Sequence, residues 1–290
     1  MILDVLSETP GFVVEGTHRS NPSDPLYFDA EIQVTRLEEI LRSRGKYQYV
    51  INCIGLTKPD IDETDPRSVR RAILLNALFP HHLADLVREM GVKAFQISTD
   101  GVFEGRAQRY FEDSPRDSTD VYGKTKSLGE VPNSNFLNIR CSIIGPDPNK
   151  GKGLLEWFLS QPTGSEIPGY VNYYWNGVTT LQFAELCRRI IIDEVFADIV
   201  EESPVHHFCP NHPVSKCQLL EIFRMIFKKD VRIVPSQGPE KVVSRILGTH
   251  YTSLGRLFGS EVGMVEAVEQ LHDRLCMKKT EQRREENDPK

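Results

Sequence analysis

Between residues 12 and 145, short apolar runs rich in β-branched residues alternate with segments of helical period, and this alternation restricts the possible folds more than any other feature. The runs are FVVEGTH (12–18), PLYFDA (25–30), YQYVINCIG (47–55), VKAFQISTD (92–100) and FLNIRCSIIG (136–145). Each is too short for a helix and is bounded by turn residues, as expected of strands buried on both faces. VTRLEEILRSR (34–44) and RSVRRAILLNALFPHHLADLVREMG (67–91) carry the helical period, and a further helix is expected around Tyr122. Strands and helices in this order close by right-handed crossovers into an α/β, doubly wound parallel sheet.

After Gly145 the pattern changes. PDPNKGKG (146–153) reads as a loop, LLEWFLSQ as a short helix, and EIPGYVNYYWNGVTT as an irregular aromatic stretch. The helix LQFAELCRRIIIDEVF, the strand PVHHFCP and the helix SKCQLLEIFRMIFKK follow, and beyond them little regularity is visible. The expected division is a sheet domain of residues 1–147 with 176–210, and a small lobe of 148–175 with 211–278. A charged tail of 279–290 is expected to fray from a helix end.

The net charge of -6, with both signs scattered, argues against a nucleic-acid stripe or a polybasic membrane patch. No run of about 18 apolar residues occurs, so no membrane span is expected. The six cysteines contain no C-x-x-C pair and form no dense framework, which points to a reducing, cytoplasmic setting. HHFCPNHPVSKC gathers His206, His207, Cys209, His212 and Cys217, but neighbouring strand residues point to opposite faces and the spacing fits no usual zinc site. No metal is expected.

Two stretches carry chemistry. Tyr122 and Lys126 stand four apart, which places both on one face of a helix. An ammonium beside a phenol favours phenolate, lowers a pKa of about 10, and makes the phenol a proton donor for a carbonyl. A solvated surface pair would have the same spacing. FQISTDGVFEG ends an apolar strand in Ser98, Thr99 and Asp100, at the edge of a parallel sheet where ligands bind; a simple strand-closing turn is the alternative reading.

STDGVFEG, then VYGKTKSLGE, then LNIRCSIIGP, with INCIGLTKPDIDETDP and LLNALFP upstream, resembles the extended short-chain dehydrogenase/reductase superfamily. Within it the likeness is to the dTDP-4-dehydrorhamnose reductase-like sugar-nucleotide reductases, over about residues 1–200. The resemblance implies a Rossmann-like sheet and reduction of a keto group on a nucleotide-linked sugar. In that scheme Thr99 bonds the substrate carbonyl, Tyr122 protonates it, and Lys126 holds the nicotinamide ribose. It also implies cofactor contacts at Asp29, Ala30, Cys53, Ile54, Gly55, Asn76 and Cys141, and substrate contacts at Lys58, Asp100, Gly101, Val102 and Trp175. His18 and Arg19, with Ser20, fall where a basic residue accommodates the extra phosphate of NADP, which favours NADP over a possible NAD. A homodimer is compatible with the resemblance. The same fold also allows an epimerase or dehydratase, or a non-catalytic regulatory subunit.

Two departures stand out. The helix MILDVLSETPGF has no glycine-rich strand and turn before it, so Met1 is expected to be an internal methionine of a longer chain, and a slot is expected beside the sheet. Gly101 stands where these reductases usually carry an aromatic residue.

Overall fold

The computed structural model describes residues 1–287 except 46, 148–150, 152, 240–241 and 259–261. Parts of the expected loop at 146–153 and of the expected tail therefore lie outside the described residues. In chain order, α1 (Ile2–Ser7) and α2 (Val34–Ser43) precede β1 (Tyr49–Asn52). Then come α3 (Pro66–Ala72), a π-helical turn at Ile73–Leu78, α4 (Phe79–Met90), β2 (Lys93–Thr99), α5 (Val121–Leu128) and β3 (Phe136–Cys141). The second half contains β4 (Ile143–Ile144), α6 (Leu154–Ser160), β5 (Ser165–Tyr170), β6 (Tyr173–Trp175), β7 (Val178–Thr179), α7 (Thr180–Ile192), α8 (Phe196–Glu202) and β8 (Val205–His207). It closes with β9 (Val214–Ser215), α9 (Lys216–Ile226), β10 (Val231–Ser236), β11 (Val243–Arg245), α10 (Ser253–Phe258) and α11 (Met264–Asn287).

The central sheet has the order β1-β2-β3-β8, with every pairing parallel. Alternate side chains of each strand serve different cores, as the period of two requires. Ala94 and Phe136 join Leu37, Ile40, Leu75, Phe79 and Val87 on one face. Phe95, Leu137 and Ile139 join Leu186, Ile190 and Phe196 on the other. Helices therefore cover both faces of a doubly wound sheet, which explains the unbroken burial of β3. The lobe has its own core around Leu155, Phe158, Ile167, Trp175, Phe223 and Val268.

The structure corrects three readings of the sequence. FVVEGTH and PLYFDA are not strands. They pair with each other at a His18–Tyr27 bridge and with no strand of the described sheets, and Val13 is 93% exposed. The aromatic stretch is not irregular but forms β5, β6 and β7. The segment after residue 229 supplies the parallel partners of β5 and β6, namely β10 and β11. Pro168 and Gly169 disguised β5, and both are tolerated in a short two-stranded sheet. Finally, the charged tail does not fray at 279 but continues α11 to Asn287.

Sheet and lobe are stitched by backbone bonds between 105–110 and 244–248: Ser244 N donates to Gly105 O at 2.8 Å, Tyr110 N to Ile246 O at 2.9 Å, and Gly248 N to Tyr110 O at 2.7 Å. The Asn176 amide imitates one more rung. Its Nδ2 donates to Leu247 O at 2.9 Å while its Oδ1 accepts from Leu247 N at 2.8 Å. Helix α1 packs on the sheet through Ile2 and is tied to α11 by Glu8–Arg274 and Asp4–Lys278 ion pairs.

Candidate active site

A cleft of about 230 Å³ opens beyond the carboxyl ends of β2 and β3. Thr57, Lys58, Thr99, Asp100, Gly101, Asp120, Tyr122, Ser142 and, from the lobe, Arg245 line it. Helix α5 is brought there by its own sequence. Asp120 caps it, Oδ1 accepting from Gly123 N at 2.7 Å, and the opposite carboxylate oxygen accepts from Lys58 Nζ at 2.7 Å. Gly123 permits the approach, since a Cβ there would stand 2.2 Å from Gly101 O. Gly129 does the same at the far end, where a Cβ would meet Asn76 O at 2.0 Å. The two glycines of VYGKTKSLGE are thus explained by packing of α5 against the turn after β2 and against the π-helical turn.

Tyr122 lies against that turn. A Cβ on Gly101 would be 2.8 Å from Tyr122 Cε1 and 3.2 Å from Thr99 Oγ1, so the absence of a side chain at 101 lets the phenol ring sit on backbone. Thr99 Oγ1 accepts from Gly101 N at 3.0 Å and donates to Asp100 Oδ1 at 3.2 Å, and both Thr99 and Tyr122 line the cleft. Burial pushes the phenol up to about 12, against the pull of Thr99. The expected depression by Lys126 is absent from this arrangement. The Lys126 ammonium donates to Ile97 O at 2.6 Å instead, and burial brings it down to about 8 against the opposing pull of Glu130. Tyr122 is consequently a protonated acid at neutral pH.

That lysine carries a stability consequence. Its pKa falls from 10.5 to about 8 on folding, so its charge opposes folding fully below about 8, and the penalty fades as pH rises towards 10.5. Lys126→Met is expected to stabilise the protein by about 1–2 kcal/mol at pH 7, after allowing for the lost bond to Ile97 O, and by progressively less at higher pH. Urea unfolding at pH 7 and pH 10 checks both the sign and the trend.

Behind the cleft, Glu130 and Arg140 form a buried bidentate pair at 2.7 and 2.8 Å. Ser98 Oγ donates to Glu130 at 2.6 Å, and Arg116 reaches it at 3.2 Å. Arg140 also donates to Glu112 O at 3.1 Å and lies 3.2 Å from His207 Nε2, while His207 Nδ1 lies 2.7 Å from Gly248 O. Burial lowers His207 to about 4, so its ring is neutral, donating through Nδ1 and accepting through Nε2. His206 Nε2 bonds Ile199 O at 2.9 Å, and no metal-holding group occurs among the described residues.

The remaining sequence-derived residues are distributed as follows. Asn76 is 1% exposed, and its amide clamps the loop after β1, accepting from Leu56 N at 2.8 Å and donating to Leu56 O at 3.0 Å. Gly55 sits beside Lys126: a Cβ there would be 4.0 Å from Nζ. Ile54 N is held by Asn52 Oδ1 at 2.9 Å, Cys53 is exposed, and Cys141 is buried near Lys126 and Asp100 with its thiol pushed well up by burial. Asp29 Oδ1 caps Glu31 N at 2.9 Å, and Ala30 is buried. His18 bonds Ser20 and faces Asp24 at 3.3 Å, and Arg19 lies 3.5 Å from Glu31, whose carboxylate is forked to Arg71. Val102 and Trp175 lie in hydrophobic cores, and neither lines the cleft.

Sequence reasoning passed over Arg245 and Lys216. Arg245 Nε donates to Phe103 O at 3.1 Å and borders the cleft. Lys216 covers the Tyr173 ring at 5.1 Å, its pKa lowered by burial and by Arg245. Arg245 thus adds a lobe cation to the cleft, opposite Lys58, which comes from the segment after β1 and is paired with Asp120. No local motif announces this, because the cations come from distant segments.

Residues 17–144 match the family model described as the RmlD substrate binding domain. A dTDP-4-dehydrorhamnose reductase of Streptomyces griseus is 42% identical over 82 residues, 28% of this chain and 26% of the relative. A methionine adenosyltransferase 2 subunit beta of Xenopus laevis is 36% identical over 85 residues, 29% of this chain and 25% of the relative. The matched segment thus spans about a quarter of either relative's length. A dTDP-4-dehydrorhamnose reductase of Bacillus anthracis, solved in complex with NADP, superposes with a TM-score of 0.68 at 17% identity, covering 85% of this chain and 89% of that one.

Proposed function

We propose that the chain, whose residues 17–144 match the RmlD substrate binding domain model, reduces a keto group on a nucleotide-linked sugar with NADPH. The observation that carries this reading is that Thr99 and Tyr122 line one cleft together with Lys58 and Arg245. The reading puts the nicotinamide ribose near Gly55 and the buried Lys126 ammonium, where a Cβ at 55 would stand 3.1 Å from Asn76 Oδ1 and 4.0 Å from Lys126 Nζ. Arg19, with Glu31 largely taken by Arg71, is placed to meet a 2′-phosphate, and the relative solved with NADP supports that choice over NAD. When bound, NADPH supplies the hydride.

The protein's own part is binding and proton transfer. Thr99 and Tyr122 hold the substrate carbonyl oxygen, and Tyr122, protonated well beyond neutral pH, gives it a proton as charge develops there. Lys126 orients the ribose and keeps a positive charge near the phenol. Arg245, Lys216 and Lys58 attract the diphosphate that links sugar to nucleoside.

The test is oxidation of NADPH by purified protein supplied with dTDP-4-dehydrorhamnose. Turnover is expected, and Arg245→Ala should raise KM for the sugar nucleotide by about tenfold or more with NADPH affinity unchanged. A protein that binds NADPH but turns over no keto sugar would instead favour a regulatory-subunit reading, which the likeness to the methionine adenosyltransferase subunit supports. Failure to bind NADPH would refute the proposal.

A further inference from the structure

Beyond β2, the loop 103–110 folds back on one of its own side chains. Tyr110 is 3% exposed, and its ring stacks on Phe103 at 4.3 Å. Its phenol oxygen accepts from three successive backbone amides: Gly105 N at 3.0 Å, Arg106 N at 2.9 Å and Ala107 N at 3.1 Å. Amides that converge in this way can cradle an anion, and here the chain's own hydroxyl takes that place. Packing alone does not call for the hydroxyl, since a phenylalanine ring would fill the same space beside Val102 and Leu247. The amides do call for it, because an N–H turned inward without an acceptor is costly.

The loop shaped in this way grips β11. Gly105 O accepts from Ser244 N at 2.8 Å, Gln108 O from Ser244 Oγ at 2.9 Å, and Ile246 O from Tyr110 N at 2.9 Å. Both chain neighbours of Arg245 are therefore fixed to residues 105–110, and Arg245 Nε itself donates to Phe103 O at 3.1 Å. The fit is close: Gly105 has a φ of +94°, and a Cβ there would stand 2.8 Å from Val243 Cγ1. Arg245 borders the cleft, so the place of this cation depends on the loop, and the shape of the loop depends on the phenol. We propose that Tyr110 is a positioning residue for substrate binding, its hydroxyl setting the loop that holds Arg245 at the cleft.

The proposal rests on the reductase reading for what Arg245 meets, the diphosphate of a nucleotide-linked sugar, but the positioning itself is measurable without substrate or cofactor. In the whole chain labelled with ¹⁵N, the Arg245 Nε–H resonance is assigned with Arg245→Lys. Its exchange with solvent should be at least about fivefold faster in Tyr110→Phe than in the wild type, because the loop no longer fixes its acceptor. An unchanged exchange rate overturns the positioning role, whatever the activity.

With dTDP-4-dehydrorhamnose and NADPH, Tyr110→Phe should raise the KM of the sugar nucleotide about three- to tenfold, with a much smaller change in kcat. Combined with Arg245→Ala it should cost little more than Arg245→Ala alone, since both changes remove the same interaction. An unchanged KM, additive losses, or a loss confined to kcat would overturn the proposal. Should Tyr110→Phe not fold, Ser244→Ala, which gives up only the bond to Gln108 O, enters the same cycle with the same non-additivity expected. A wild type without turnover would refute the reductase reading, and the exchange measurement would still decide the positioning.

Discussion

Tyr122→Phe is expected to reduce kcat by about 10²–10⁴-fold, the range for loss of a positioned general acid, with little change in the KM of the sugar nucleotide. The ring keeps its packing over Gly101, and only the hydroxyl is lost, so the fold should be unaffected. Steady-state NADPH oxidation, beside a thermal melt, reads both. Since burial places the phenol at about 12, its own deprotonation should not limit the rate anywhere near neutral pH. A variant with wild-type turnover would remove Tyr122 from the chemistry.

The largest stability effect is expected at the other end of the same motif. Glu130→Ala would leave the Arg140 guanidinium, whose side chain is 4% exposed, buried without its carboxylate. Breaking a buried pair in this way costs about 3–5 kcal/mol. Damage should spread beyond the pair, because Arg140 also holds Glu112 O and the neutral His207 ring. Although burial pushes Glu130 up, the bonds from Arg140 and Ser98 bring its pKa below 4.5 overall. A carboxyl lowered on folding stabilises fully above its unfolded value and ceases to do so as pH falls through its folded one. The wild type should thus lose part of its advantage over Glu130→Ala on acidification below about pH 4, which denaturant titrations at pH 7 and pH 3.5 would reveal. An unchanged difference across that range would show that the pair does not contribute in this way.

How much the sequence discloses depends on how far apart the cooperating residues lie. β1, β2 and β3 are legible because each is a short apolar run bounded by turn residues, a wholly local signal. FVVEGTH has a similar composition but joins none of the described sheets, and composition does not report pairing. β5 and β10 pair across some 60 residues and include Pro168 and Gly169, which locally read as breakers. In the site, the i, i+4 spacing of Tyr122 and Lys126 and the strand-end Thr99 are local signals, and the structure puts Thr99 and Tyr122 on one cleft. The cations from β11 and α9 are not local, and neither is the Glu130–Arg140 fork. Lys126 was expected to act on Tyr122, and in the structure its buried ammonium donates to Ile97 O. Asn76 shows the same kind of diversion, its amide spent on the loop after β1.

The rung formed by the Asn176 amide also supplies a clock. Leu247 N–H is hidden behind a side chain rather than a strand, and it is freed only when the segment from β11 onwards lifts away from the stretch between β6 and β7. Deuterium uptake at that single amide would therefore time the breathing of the lobe over the cleft, and with it the interval in which a bulky sugar nucleotide could enter or depart.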